Sequence, residues 1–123
     1  WDDMYERYLG IRSPDRKQGV LQDIHWSMGA FGYFPTYTLG NLYSAQLLLA
    51  ARNDLESDGH TLEDDWRKGT FTPLLEWMRT NVHHRGSILT PADLIEEATG
   101  DTPIPEPFVD YLKDKIGTIY GLA

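Results

Sequence analysis

Residues 19–46 read GVLQDIHWSMGAFGYFPTYTLGNLYSAQ. No other stretch of the chain sets aromatic, polar and glycine residues so close together. Gln22, Asp23, His25, Tyr33 and Tyr37 can all hydrogen-bond, and Trp26, Phe31 and Phe34 can wall a dry pocket around them. Gly29, Gly32 and Pro35 allow tight bends between them. Polar groups act most strongly where water is excluded, so this is the make-up of a site. The plainer alternative is an aromatic core segment with satisfied polar residues. Residues 20–26 suit either one short β element or a helical turn, and residues 27–35 are too rich in glycine for a regular helix. From Thr36 the spacing predicts a helix, capped by Thr36 or Thr38 and fading near Asn53. Leu39, Leu42, Tyr43, Gln46, Leu47 and Ala50 fall on one side of it.

Upstream, Trp1, Met4, Tyr5 and Tyr8 lie at helical spacing, and Gly10 can end that helix. Residues 12–18 are charged, contain Pro14 and read as a loop. Downstream, residues 54–69 read as an acidic loop with a short helix around 62–68. Residues 70–82 predict a helix with a stripe of Phe71, Leu74, Leu75 and Met78, Trp77 alongside, and Pro73 in the first turn. Residues 87–89 read as an extended link. Thr90, Pro91 and Asp93 then form a strong helix start of the capping-box type, and Gly100 forms the stop. After a proline-rich turn, a last helix over about 106–119 is expected to carry Phe108, Tyr111, Leu112, Ile116, Ile119 and Tyr120 inward. The expected fold class is all-α, a single helical domain over residues 1–123, with one short β element near residues 20–26 as the open alternative.

Composition narrows the function. A chain of 123 residues suits one domain with a modest core. The net charge of −8 argues against non-specific binding to nucleic acid or anionic membrane. Without cysteine there is neither a disulfide framework nor a thiolate metal site, which fits a cytoplasmic protein. No apolar run approaches a membrane span, and no signal peptide is visible. The chain opens on Trp1 and enters directly what reads as a helix, so it is expected to be part of something longer or to have been trimmed.

A catalytic metal site usually needs two histidines one helical turn apart. His25, His60, His83 and His84 offer no such pair, and no H-E-x-x-H occurs. No metal site made by this chain alone is expected. His83 and His84 read as a solvated helix end, where a cation suits the dipole. A carboxylate-pair hydrolase built on Asp23 and a second acid has no spacing signal behind it.

Gly19, Gln22, Asp23, His25 and Trp26 match the G-x-x-Q-D-x-H-W motif of the carboxypeptidase Taq family of metallocarboxypeptidases, and the chain resembles that family along nearly its whole length. Residues 1–10 resemble its W-N-x-x-M-x-x-Y-L-G lead-in. Residues 75–77, 99–100 and 111–113 resemble its C-terminal helices. The resemblance implies the C-terminal segment of a longer all-helical enzyme that hydrolyses the C-terminal peptide bond of peptides. The family's H-E-x-x-H pair, further glutamate and substrate-binding arginine lie upstream of the region represented here. A divalent metal, zinc or cobalt, is therefore implied for the full-length enzyme and none for this chain. What remains is the wall opposite the metal. On this reading His25 donates to the developing oxyanion or to the substrate carbonyl, assisted by Tyr37 or, as the second choice, by Tyr33. Gln22 contacts the substrate backbone or carboxylate, and Asp23, grouped with it on the substrate side, orients a histidine on this chain or upstream. The implied partners are a peptide with a free C-terminus and the missing N-terminal part. Family members are often homodimers, although no residue here demands it. The isolated chain is expected to be inactive. The competing reading is a non-catalytic helical interaction or oligomerisation domain, associating through Trp26, Phe31 and Phe34.

Overall fold

The structure, a computed structural model, describes residues 1–122. It is helical, with α1 at Asp2–Leu9, α2 at Pro35–Ser57, α3 at Leu62–Arg67, α4 at Thr72–Asn81, α5 at Pro91–Thr99 and α6 at Glu106–Tyr120. No strand forms among the described residues. In place of a short β element near residues 20–26, the chain makes two 3-10 turns, Val20–Gln22 and Trp26–Met28, with Asp23 extended between them. The reason is local. Gln22 and Asp23 donate their backbone N–H groups to Gly19 and Val20, so the donors a strand would present sideways are already used.

The chain divides into two compact units, Trp1–Thr36 and the residues from Tyr37 onward. In the first, α1 carries Asp2 and Asp3 in its opening turn, where acids suit the dipole. Arg12 then folds back on it, donating to Asp3 at 2.8 Å and to Glu6 at 2.7 Å. The guanidinium holds the Asp3 carboxyl below its ordinary range, first through this hydrogen bond and then through its charge.

The second unit is built on an apolar cluster of Ala51, Leu55, Leu62 and Trp77, with Leu47, Ala50, Trp66, Leu74, Met78 and Val82 packed against it. α2 is longer than its sequence suggests. It runs on through Asp54, whose carboxylate accepts from Trp77 Nε1 at 2.8 Å. That bond lets the indole be buried with its N–H satisfied. Trp77, not Phe71 or Leu75, is thus the core residue of α4; the other two are exposed. Arg52 on α2 meets Glu63 on α3 at 2.6 Å, and this hydrogen bond lowers the Glu63 carboxyl pKa.

α5 starts and stops as its sequence dictates. Thr90 Oγ1 accepts from the Asp93 backbone N–H at 3.3 Å and donates to Asp93 Oδ2 at 2.7 Å. Asp93 therefore takes the hydroxyl proton and not the Thr90 N–H of a full capping box. Gly100 comes next with φ 82°, a left-handed stop. Residues 86–89 form turns and bends, not an extended link. The largest departure is α6. Its apolar stripe exists, yet none of its residues is buried, and Tyr111, Ile116, Ile119 and Tyr120 are exposed. A groove of about 690 Å³ runs between α2 and α6, lined by Leu48, Leu49, Phe108 and Tyr111 among others.

Candidate functional site

The segment between α1 and α2 is held by its own polar groups. Gly19 sits where a Cβ would run into Ser13 Oγ and press on the Asp15 carbonyl, so any larger residue requires that loop to shift. The Arg16 carbonyl accepts from both Gly19 and Leu21 backbone N–H groups, and Gln22 Nε2 donates to the Lys17 carbonyl at 2.7 Å. Gln22 is thus tied back to its own loop while remaining exposed.

Asp23 organises the turn after it. Its Oδ1 accepts from the His25 backbone N–H at 2.8 Å and from His25 Nδ1 at 3.0 Å. A carboxylate can only accept, so this contact assigns a proton to Nδ1. A neutral His25 ring then carries its lone pair at Nε2, and an imidazolium carries a second N–H there. The Asp23 side chain is 12% exposed and that of His25 is 28% exposed. Asp23 Oδ2 is buried and has no hydrogen-bond partner among the described residues. The His25 carbonyl accepts from Met28 and Ala30, closing the second 3-10 turn, and Gly29 ends it at φ 77°.

Two rings hold the imidazole from other sides. Tyr33 stacks on it with centroids 5.5 Å apart, and Phe34 meets it edge-on at 4.9 Å. Trp26 stacks with Phe31 at 6.4 Å. Thr36, expected as a cap that accepts, instead donates its hydroxyl to the Tyr33 carbonyl at 2.6 Å. That bond holds Tyr33 at the entry to α2.

Of the residues singled out from sequence, Asp23, His25 and Tyr33 are therefore brought into one cluster, with Phe34 joining them. Gln22 lies one turn before it, and Tyr37 stands exposed in the first turns of α2, in the second unit. Phe34, whose residue type suits a pocket wall, packs against the His25 ring. Among the described residues no three histidine, aspartate or glutamate side chains come together as a set that could hold a metal ion. The donors present here do not fit such a site. The arrangement can do something else: present an oriented imidazole, backed by a carboxylate, beside a phenol.

The structure is thus an all-helical segment that carries an Asp–His pair on a glycine-punctuated loop, with no complete metal centre among the described residues. The model of the carboxypeptidase Taq (M32) metallopeptidase family matches residues 1–116, and the chain belongs to that family. It is 45% identical to thermostable carboxypeptidase 1 of Thermus thermophilus over 98% of its own length and 23% of the relative's. It is 39% identical to carboxypeptidase 1 of Bacillus subtilis, over 99% of this chain and 24% of that one. The crystal structure of the M32 carboxypeptidase from Deinococcus radiodurans R1 superposes with a TM-score of 0.87 at 42% identity, covering 98% of this chain and 24% of that one. The chain thus spans about a quarter of the length of the relatives it matches.

Proposed function

We propose that this chain is one segment of a longer metal-dependent carboxypeptidase, where it forms the substrate-binding wall facing an ion held by residues this chain does not contain. The observation that carries this reading is the Asp23–His25 pair, a histidine ring held in one orientation by a carboxylate at a partly open position. Hydrolysis of a peptide bond places negative charge on the scissile carbonyl oxygen, and a preorganised donor there is worth about 10²–10³ in rate. His25 supplies that donor from Nε2 when its ring is an imidazolium. The Asp23 carboxylate balances that charge and keeps the ring from turning. Tyr33 buttresses the imidazole by stacking, and the Tyr37 hydroxyl is the second donor to substrate. Gln22, with one of its two N–H groups given to Lys17, keeps a second for a substrate carboxylate or backbone. The unpartnered Asp23 Oδ2 supports a longer protein, because buried oxygens normally find a donor.

The substrate is then a peptide with a free C-terminus, the ion zinc or cobalt, the compartment the cytoplasm, and the isolated chain inactive. The wide exposure of Trp26, Phe31 and Phe34 supports coverage by the remaining polypeptide or by a homodimer partner. The test is His25→Ala in the full-length enzyme. The variant should keep its metal and lose about 10²–10³ in kcat on a blocked dipeptide. Near-normal turnover removes His25 from the reaction.

A further inference from the structure

Gln46 interrupts the apolar side of α2. It is 4% exposed and is the buried polar side chain among the described residues. Its carboxamide faces the connection between α5 and α6. Nε2 donates to the Thr102 carbonyl at 3.0 Å, to Thr99 Oγ1 at 3.2 Å and to the Asp101 carbonyl at 3.3 Å. Oε1 accepts from the Ile104 backbone N–H at 3.2 Å. A backbone N–H can only donate, so the orientation of the amide is decided. Two N–H groups serve three acceptors, so one of these bonds is shared. An apolar side chain of the same size would leave the Ile104 N–H and the Thr102 carbonyl without this partner.

The position of Gln46 along α2 gives this clamp its meaning. Residues 35–41 are all exposed, and Gln46 is the first buried residue of the helix. Beyond it, α2 is held by apolar contacts through Leu47, Ala50, Ala51 and Leu55. Apolar contacts resist separation but are not directional, so they tolerate a small rotation or slide. Hydrogen bonds weaken steeply with angle and distance, so a carboxamide with four partners does not. Tyr37 lies nine residues earlier on the same stiff helix, about 13–14 Å along its axis and half a circumference round. A rotation of α2 at Gln46 therefore reaches the Tyr37 ring.

We infer that Gln46 is a positioning residue: by locking the phase of α2 against residues 99–104, it sets where the Tyr37 hydroxyl stands during the reaction. The inference rests on the reading of Tyr37 as a donor to substrate. Gln46 itself touches no reacting atom.

A double-mutant cycle in the full-length enzyme tests it, with Gln46→Met, Tyr37→Phe and the pair assayed on a blocked dipeptide. Misplacing a positioned group by about 1 Å typically costs up to about 10²-fold. Gln46→Met should accordingly lower kcat about tenfold or more, with KM within about twofold. In the Tyr37→Phe background the same change should cost less than about twofold, because the hydroxyl it positions is gone. Thr99→Val, which removes one of the four partners, should give the same pattern at smaller size and decides the matter if Gln46→Met does not fold. Equal losses in both backgrounds, or a lower melting temperature with kcat intact, overturn the inference. If Tyr37→Phe alone leaves kcat unchanged, the donor reading of Tyr37 is what fails, and the positioning role falls with it.

Discussion

In residues 1–36 no hydrophobic side chain is buried, whereas the helices from Tyr37 onward close on Ala51, Leu55, Leu62 and Trp77. The two regions are held by different forces. The first relies on contacts between near neighbours in sequence: Arg12 on Asp3 and Glu6, Gln22 on Lys17, Asp23 on His25, and rings stacked within a span of ten residues. The second relies on apolar burial between helices far apart in sequence, helped by polar bonds such as Trp77 to Asp54 and Gln46 to the α5–α6 connection. The lesson is a division of labour. Directional bonds set the orientation of an imidazole, and non-directional burial supplies most of the stability.

That contrast can be broken by mutation. The largest loss should come from Leu62→Ala, at a residue 1% exposed. We expect about 2–5 kcal/mol in a denaturant titration, with the His25 ring resonances unmoved while the protein is folded. Thr90→Ala should cost about 1 kcal/mol by removing the cap of α5. Asp23→Ala should cost less than about 1 kcal/mol of global stability. It removes two hydrogen bonds, yet it also removes an unpartnered buried oxygen, and these terms oppose one another. The same change should shift the His25 Nδ1 resonance strongly. If Asp23→Ala destabilises as much as Leu62→Ala, the contrast between the regions is wrong.

The smallest effect concerns acid. Arg12 holds Asp3 below its ordinary value of 3.8, so this tie is complete above that value and is lost as pH falls through the lower, folded-state value. Both groups are solvent-exposed and screened, so the consequence is local. A carboxyl titration by NMR should place the Asp3 midpoint below 3.8, and Arg12→Gln should return it there.

Most of the helices are legible in the sequence because their signals are local. Thr90 and Gly100 bracket α5, and Pro73 sits in the first turn of α4. The 3-10 turns around Asp23 are not, since three residues carry too little periodicity to tell a tight turn from a strand. Asp23 and His25 stand two residues apart in the sequence, but only the folded turn brings the carboxylate onto both the backbone N–H and Nδ1 of His25. Gln46 is legible only as a member of a stripe. A polar residue in an apolar row is the signal, but its partners lie more than fifty positions away.

By itself, the sequence determined the helical class, both ends of α5 and the family, because capping chemistry, glycine conformation and a run of rare residues are all written between near neighbours. Only the tertiary structure decided that Trp77 is the buried residue of α4, that no residue of α6 is buried, and that Gln46 clamps α2 to residues 99–104. Periodicity specifies which side of a helix is apolar; what meets that side depends on elements distant in the chain, and that is settled only when they pack.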